Sequence, residues 1–215
     1  NAPIVKDVYG GIIDILMKDR DITKSIDFLQ SMLDNIVNEK ININKLIISK
    51  SLRGFYKKPN QIAHKVLSDR IGVRDPGNKP GPGDRIPYVY IVHKNKKALQ
   101  GEKIETPDYI QQNNIKIDYG FYITNQIMKP VLQIYSLILL DMPQFKRKKQ
   151  TFINKLNSLE QNMEEEDDYD YEKFLKKKQT LKDKEVEKLL FSDYLRINNN
   201  KKNNNTMITS FFKKT

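Results

Sequence analysis

Six carboxylates crowd into seven positions, Glu164, Glu165, Glu166, Asp167, Asp168 and Asp170, and such oxygens are what divalent cations prefer. Consecutive residues cannot all converge on one ion, and the run lacks the glycine and spacing of a calcium loop. It is expected to be a solvated acidic linker, with no metal or other cofactor bound by this chain. The glycine-rich stretch GNKPGPGD lacks the Gly-Lys-Ser/Thr ending that cradles phosphate ahead of a helix. No serine occupies a Gly-x-Ser-x-Gly elbow, and His64 has no evident nucleophile to activate. His64 suits a polar helix face near a phosphate better than a general base. No self-sufficient active site is legible, so no catalytic residue is expected.

A binding chemistry is better supplied. Lys50, Arg53, Lys57, Lys58, Lys65, Arg70, Arg74, Lys79 and Arg85 lie in one stretch, offset only by Asp69, Asp75 and Asp84. Tyr56 and Tyr88 are interleaved. Long cations neutralise phosphate charge and hydroxyls add directional hydrogen bonds, so this inventory fits a phosphate backbone. A merely soluble basic surface is the plain alternative. The formal net charge of +11 favours a polyanionic partner, nucleic acid or an anionic membrane face. The longest apolar run, VLQIYSLILL, is too short and too interrupted to span a bilayer, and no membrane is expected.

With no cysteine and two histidines, disulfides, thiolate metal sites and histidine-built metal sites are excluded or disfavoured. An intracellular setting follows most simply. The 215 residues suffice for one good core, and 30% charged against 38% hydrophobic residues points to a part that packs poorly. Because the chain opens at Asn1 with no methionine or leader, it is expected to be a piece of something longer.

The elements that must position the basic set are read from periodicity. Ile4, Val8, Ile12, Ile15 and Leu16 have helical spacing, weakened by Gly10 and Gly11. Ile26, Leu29, Leu33, Ile36 and Val37 form the stripe of a second helix. KLIISKSL is a strand. NQIAHKVLSDRIG is a helix capped by Asn60 and stopped at Gly72, burying Ile62, Ala63, Val66, Leu67 and Ile71 while Gln61, His64, Lys65 and Ser68 face away. IPYVYIV is a strand whose Pro87 argues for an edge or a strand start. DYGFYITNQIMKPVLQIYSLILL is a long helix that Pro130 should kink or divide. The compact domain is expected to end near Pro143. Residues 144–197 read as thin, charged amphipathic helices around the acidic linker, and 198–215 as an asparagine-rich disordered tether. The fold class is therefore α+β, mainly helical, with a small β element and an extended helical and disordered tail.

Three blocks in order carry a resemblance: NAPIVKDVYGGIIDILM, LIISKSLRGFYKKPNQIAHKVLSDRIGVRDPGNKPGPGDRIPYVYIV, and IDYGFYITNQIMKPVLQIY. Together they resemble the thumb region of family B DNA polymerases of the delta type, most of all those of large DNA viruses, from Asn1 to about Leu140. The matching positions are Ser49, Lys50 and Leu52; Ala63, His64 and Arg70; and Gly83, Asp84, Arg85, Ile86, Tyr88 and Val89. The resemblance implies a thumb that closes over the primer–template duplex, with Lys50, Arg53, Tyr56, Lys57, His64, Arg70, Arg74, Arg85 and Tyr88 on or near the DNA. It also implies palm, fingers and exonuclease parts of the same polymerase, with two magnesium ions held on palm aspartates outside this chain. The chain alone is then expected not to synthesise DNA. The cysteine-rich end of cellular delta-type enzymes is missing.

The last residues, NTMITSFF, resemble the clamp-binding peptide of replication proteins, with Asn205 in the glutamine position, Ile208 as the aliphatic, and Phe211 and Phe212 as the aromatic pair. Positions i, i+3 and i+4 share one side of a helical turn, so Ile208, Phe211 and Phe212 can enter one pocket of a sliding clamp. Asn205 is a methylene short, which implies weaker binding than a full match. The competing readings are a stand-alone, non-catalytic DNA-binding processivity module and a general basic scaffold. Replication would place the chain in a nucleus or a cytoplasmic viral factory.

Overall fold

The computed structural model describes residues 1–95, 97–164 and 170–202, and the chain gathers into two compact units. The first comprises Asn1–Asp7 and Asn38–Gln126; the second comprises Val8–Val37 and Ile127 onward. Helix α1 (Pro3–Asp14) contributes residues to both.

The first unit is built on a three-stranded antiparallel sheet ordered β1 (Ile48–Ser51), β2 (Arg85–Tyr90), β3 (Ile104–Glu105). Ile48 pairs with Tyr88 and Lys50 with Ile86, so Ile48, Lys50, Ile86 and Tyr88 share one face. Helix α3 (Ala63–Arg74) packs against β2 and β3. Short helices α4 (Pro107–Gln112) and α5 (Tyr119–Phe121) follow, and a wide π turn over Tyr122–Ile127 leads out of the unit. Tyr122 is fully buried, donates its hydroxyl to the Leu46 carbonyl at 2.8 Å and accepts from the Tyr90 amide at 3.0 Å. One phenol thus ties the end of β2 to the approach to β1. Burial drives its pKa upward.

Several local expectations change. Pro87 lies inside the middle strand, not on an edge. The strand tolerates it because β3 pairs only with Val89 and Tyr90, leaving the flank of Pro87 toward β3 without a ladder bond to lose. Helix α3 is capped by Ile62, without a side-chain cap bond, and Asn60 lies in a preceding 3₁₀ turn. Gly72 is within the helix, two residues before its end, under the Lys79 side chain. Ser68 does not face away: it is 1% exposed and donates to the Pro80 carbonyl at 2.9 Å, an acceptor that helical periodicity cannot reveal.

The second unit is helical: α2 (Ile22–Val37), α6 (Met128–Ile138), α7 (Lys149–Glu164), α8 (Tyr171–Leu190) and α9 (Ser192–Lys202). Ile26, Leu29, Leu33 and Ile36 are all buried, as the stripe requires. Tyr135 donates to Ser25 Oγ at 2.9 Å, and Ser25 Oγ in turn donates to the Ile22 carbonyl at 2.7 Å. Gly11 is needed because a Cβ there would run into the Phe28 ring. Pro130 does not interrupt the helix: it is the third residue of α6, which follows directly on a π turn at Tyr122–Ile127.

The compact units do not follow the boundary near Pro143. Beyond it, Phe145, Phe152, Leu156, Met163, Phe174, Val186, Leu190, Phe191, Tyr194 and Ile197 are buried. Helix α8 packs on α6 and bonds it through Ser136 Oγ to Asp183 at 2.5 Å. The charged extension is therefore core-forming, and Lys178 places its ammonium 5.5 Å from the centroid of the buried Phe174 ring. Residues 198–202 continue α9 rather than starting a tether. The acidic run from Glu165 to Asp168 and the peptide Asn205, Ile208, Phe211 and Phe212 lie outside the described residues.

Candidate nucleic-acid interface

The nine residues expected near DNA separate into distinct environments. Lys50 ends the inner face of β1 and is exposed. From Leu52 the chain turns through Arg53, Gly54 and Phe55 to Tyr56, and this loop is pinned at both ends. Leu52, 6% exposed, donates its amide to Asp84 and accepts from the Gly83 amide, both at 2.9 Å. Gly83 takes φ +95°, which explains a glycine there. Tyr56 Oη accepts from the Arg53 amide at 2.7 Å and faces His64 Nε2 at 3.1 Å, with the rings edge to face at 5.9 Å.

His64 stands in the first turn of α3, and its pKa is lowered, first by burial and then by Lys50, with Arg53 adding to the effect and the Ser51 carbonyl opposing it. A neutral ring that carries its proton on Nδ1, toward the Ser51 carbonyl, can accept a hydrogen bond from the Tyr56 hydroxyl at Nε2. Lys50, Arg53, Tyr56 and His64 thus form one cluster, with exposed Lys57 directly after it in the chain. Among the described residues, none of Lys50, Arg53, Lys57 and Arg85 forms an ion pair with a carboxylate. Exposed cations without carboxylate partners leave an uncompensated positive field, the condition under which a phosphate is attracted, and Lys50 and Arg53 add their effect on His64 to the larger one of burial.

Arg85 belongs to the other face of the sheet. It lies along β1, donating to Ser49 Oγ at 3.2 Å, Ser51 Oγ at 3.4 Å and the Ser49 carbonyl at 3.2 Å. It stays exposed, with no carboxylate among these partners.

Arg70 and Arg74 are engaged inward. Arg70 donates to the Gly101 and Ile104 carbonyls at 2.7 and 2.8 Å, and its Nε is 3.5 Å from Glu105. Arg74 donates to Glu105 at 2.8 Å and covers the Tyr109 ring with its guanidinium 3.6 Å from the centroid. Glu105 is 2% exposed and also accepts from the Thr106 amide at 2.9 Å. These two arginines hold α3 to β3 and to the turn before it, although Arg70 Nε, buried, finds no hydrogen-bond partner. Tyr88 is 5% exposed on the core face, and burial pushes its hydroxyl up to about 12.

Sequence reasoning missed Glu105, the acid that explains Arg70 and Arg74, and Phe55, which is 82% exposed between Arg53 and Tyr56. A lone acid between isoleucine and Thr-Pro was the only local signal for the former. Among the described residues, no three histidine or carboxylate side chains come together as a metal-ligand set, and no helix is long and apolar enough to cross a membrane.

The profile of DNA polymerase family B matches residues 1–138. The chain belongs to DNA polymerase family B. The DNA polymerase of Pyramimonas orientalis virus is 48% identical over the whole of this chain, which spans 18% of that protein. The DNA polymerase of Acanthamoeba polyphaga mimivirus is 54% identical over 65% of this chain and 8% of its own length. The DNA polymerase delta catalytic subunit of Caenorhabditis elegans is 38% identical over 66% of this chain and 13% of its own length. The chain therefore spans less than a fifth of the curated relatives it matches. A solved family B DNA polymerase from Pyrobaculum calidifontis is similar over 62% of this chain and 17% of its own, at 20% identity and a TM-score of 0.49.

Proposed function

We propose that the chain is the C-terminal thumb portion of a replicative DNA-directed DNA polymerase and that it grips primer–template duplex through phosphate contacts. The observation that carries this is the pair of cations Lys50 and Arg53, without a carboxylate partner among the described residues, gathered beside His64 and Tyr56. Membership of family B supplies the chemistry to which a DNA grip belongs. In this reading Lys50, Arg53, Lys57 and Arg85 neutralise phosphates, and His64 with Tyr56 adds directional bonds. Arg70, Arg74 and Tyr88 hold the platform and touch DNA little. The bond-making groups and their metal ions belong to palm residues outside this chain, so the chain alone does not polymerise. The peptide Asn205, Ile208, Phe211 and Phe212 tethers it to a sliding clamp, raising effective concentration at the site of replication.

That the match to the Pyramimonas orientalis virus polymerase covers the whole chain supports reading the helices beyond Pro143 as part of the same polymerase rather than an unrelated appendage. The test is the salt dependence of duplex binding by the 215-residue chain. Each phosphate neutralised contributes a slope of about 0.9 in log K against log salt, so Lys50→Ala with Arg53→Ala should reduce it by roughly 2. An unaltered slope refutes the assignment, and absence of duplex binding at low salt refutes the function.

A further inference from the structure

We infer that Phe55 is a DNA-contacting residue, an aromatic side chain that lies against the sugar and base surface of the duplex while its cationic neighbours hold the phosphates. The inference rests on the proposed DNA grip and names a contact within it. Four observations carry it. Phe55 is 82% exposed, an arrangement that water disfavours for a ring this size. It is flanked by Arg53 on one side and by Lys57 and Lys58 on the other, with no acid between Leu52 and Lys58. The loop that carries it is anchored at both ends, through the Leu52 bonds to Asp84 and Gly83 and through the bond from the Arg53 amide to Tyr56 Oη. Finally, Tyr56, its immediate neighbour, turns inward to His64, so the inward place is already filled and Phe55 is left as the projecting ring.

Phosphate contacts are polar and salt-sensitive, and they leave the apolar part of a nucleotide unused. An aromatic residue set among cations supplies what they lack. Contacts of a ring with the sugars along a duplex tolerate any sequence, because every nucleotide carries the same deoxyribose while the base faces are covered by stacking. A rigid loop matters here: it spares the ordering cost that a floppy aromatic would incur on binding. Gly54 has nothing within 4 Å of where a Cβ would stand, so the space around the loop tip is open for a partner.

The test uses the 215-residue chain, a labelled primer–template duplex and three proteins: wild type, Phe55→Ser and Phe55→Trp. Because the sequence contains no tryptophan, Phe55→Trp places a single indole at the contact. Phe55→Ser should melt as the wild type does and bind duplex about tenfold more weakly, as expected for losing the burial of one large apolar side chain, with the salt slope unchanged. Phe55→Trp should keep its affinity, and on adding duplex its emission should shift to the blue and become shielded from acrylamide. If the wild type binds but Phe55→Ser binds equally well and the indole stays open to acrylamide, the inference fails while the phosphate reading stands. If the wild type does not bind duplex at low salt, the phosphate reading itself has failed. A loss of salt slope in Phe55→Ser would overturn the inference differently, by showing that the loop acts only by placing its cations.

Discussion

Replacing Glu105 with glutamine removes one negative charge and little volume from a site where two guanidinium groups converge. The carboxylate is 3% exposed at its side chain, whereas the side chains of Arg70 and Arg74 are 28% and 33% exposed. Breaking a fully buried pair by deleting one partner costs about 3–5 kcal/mol. Here the two cations retain some water, and Arg70 keeps its bonds to Gly101 and Ile104. The expected loss is therefore about 2–3 kcal/mol, which for a chain of this size lowers the melting temperature by roughly 5–10 °C. Arg74→Met removes the 2.8 Å bond and the contact with Tyr109, and Glu105→Gln combined with it should cost less than the sum of the two. The coupling from thermal or urea unfolding should be about 1–3 kcal/mol. Duplex binding offers an independent check: neither single substitution should alter its salt slope, since neither arginine is free to meet a phosphate. A coupling within 0.5 kcal/mol of zero, or a slope that drops with Arg74→Met, would refute the structural role given to this pair.

Two further outcomes follow from local geometry. Gly10→Ala meets nothing within 4 Å and should stabilise α1 by about 0.5–1 kcal/mol, whereas Gly11→Ala forces the Phe28 ring aside and should lose about 1 kcal/mol net of its helix gain; opposite signs in urea unfolding are the check. For His64 the folded-state pKa lies below its ordinary 6.5, so the unfolded chain binds the proton more readily and stability should decline as pH falls below about 6.5 and through the folded value. A phosphate beside the ring reverses the preference, so duplex affinity should rise as pH falls from 8 toward 5.5, with up to one proton taken up. His64→Gln should flatten both profiles.

The parts of this molecule that were legible in advance are those whose cause is local. The stripe from Ile26 to Ile36 needs only the helical period. The mainly helical α+β class followed from the same signals. What escaped notice depends on partners far along the chain. Arg70 and Arg74 look like any exposed basic pair until Glu105, more than thirty residues later, is folded against them. Ser68 seems to belong outside until the Pro80 carbonyl arrives. The extension from Pro143 was placed outside the compact domain because composition averages over a helix, whereas burial is decided by a few positions such as Phe174, Val186 and Leu190. At the candidate interface, the cationic inventory was readable, but its division between two sheet faces was not, because that division is set by the register of β1 with β2.

Neither compact unit is a continuous stretch of chain, and this governs the order in which they can be completed during synthesis. Everything the sheet-bearing unit requires has left the ribosome soon after Gln126. The apolar side of α2, made a hundred residues before α6, has no home until the later helices emerge. Nascent chains halted between those points should therefore carry a finished β-containing body and an unsheltered greasy helix, a form that invites chaperones and proteases alike.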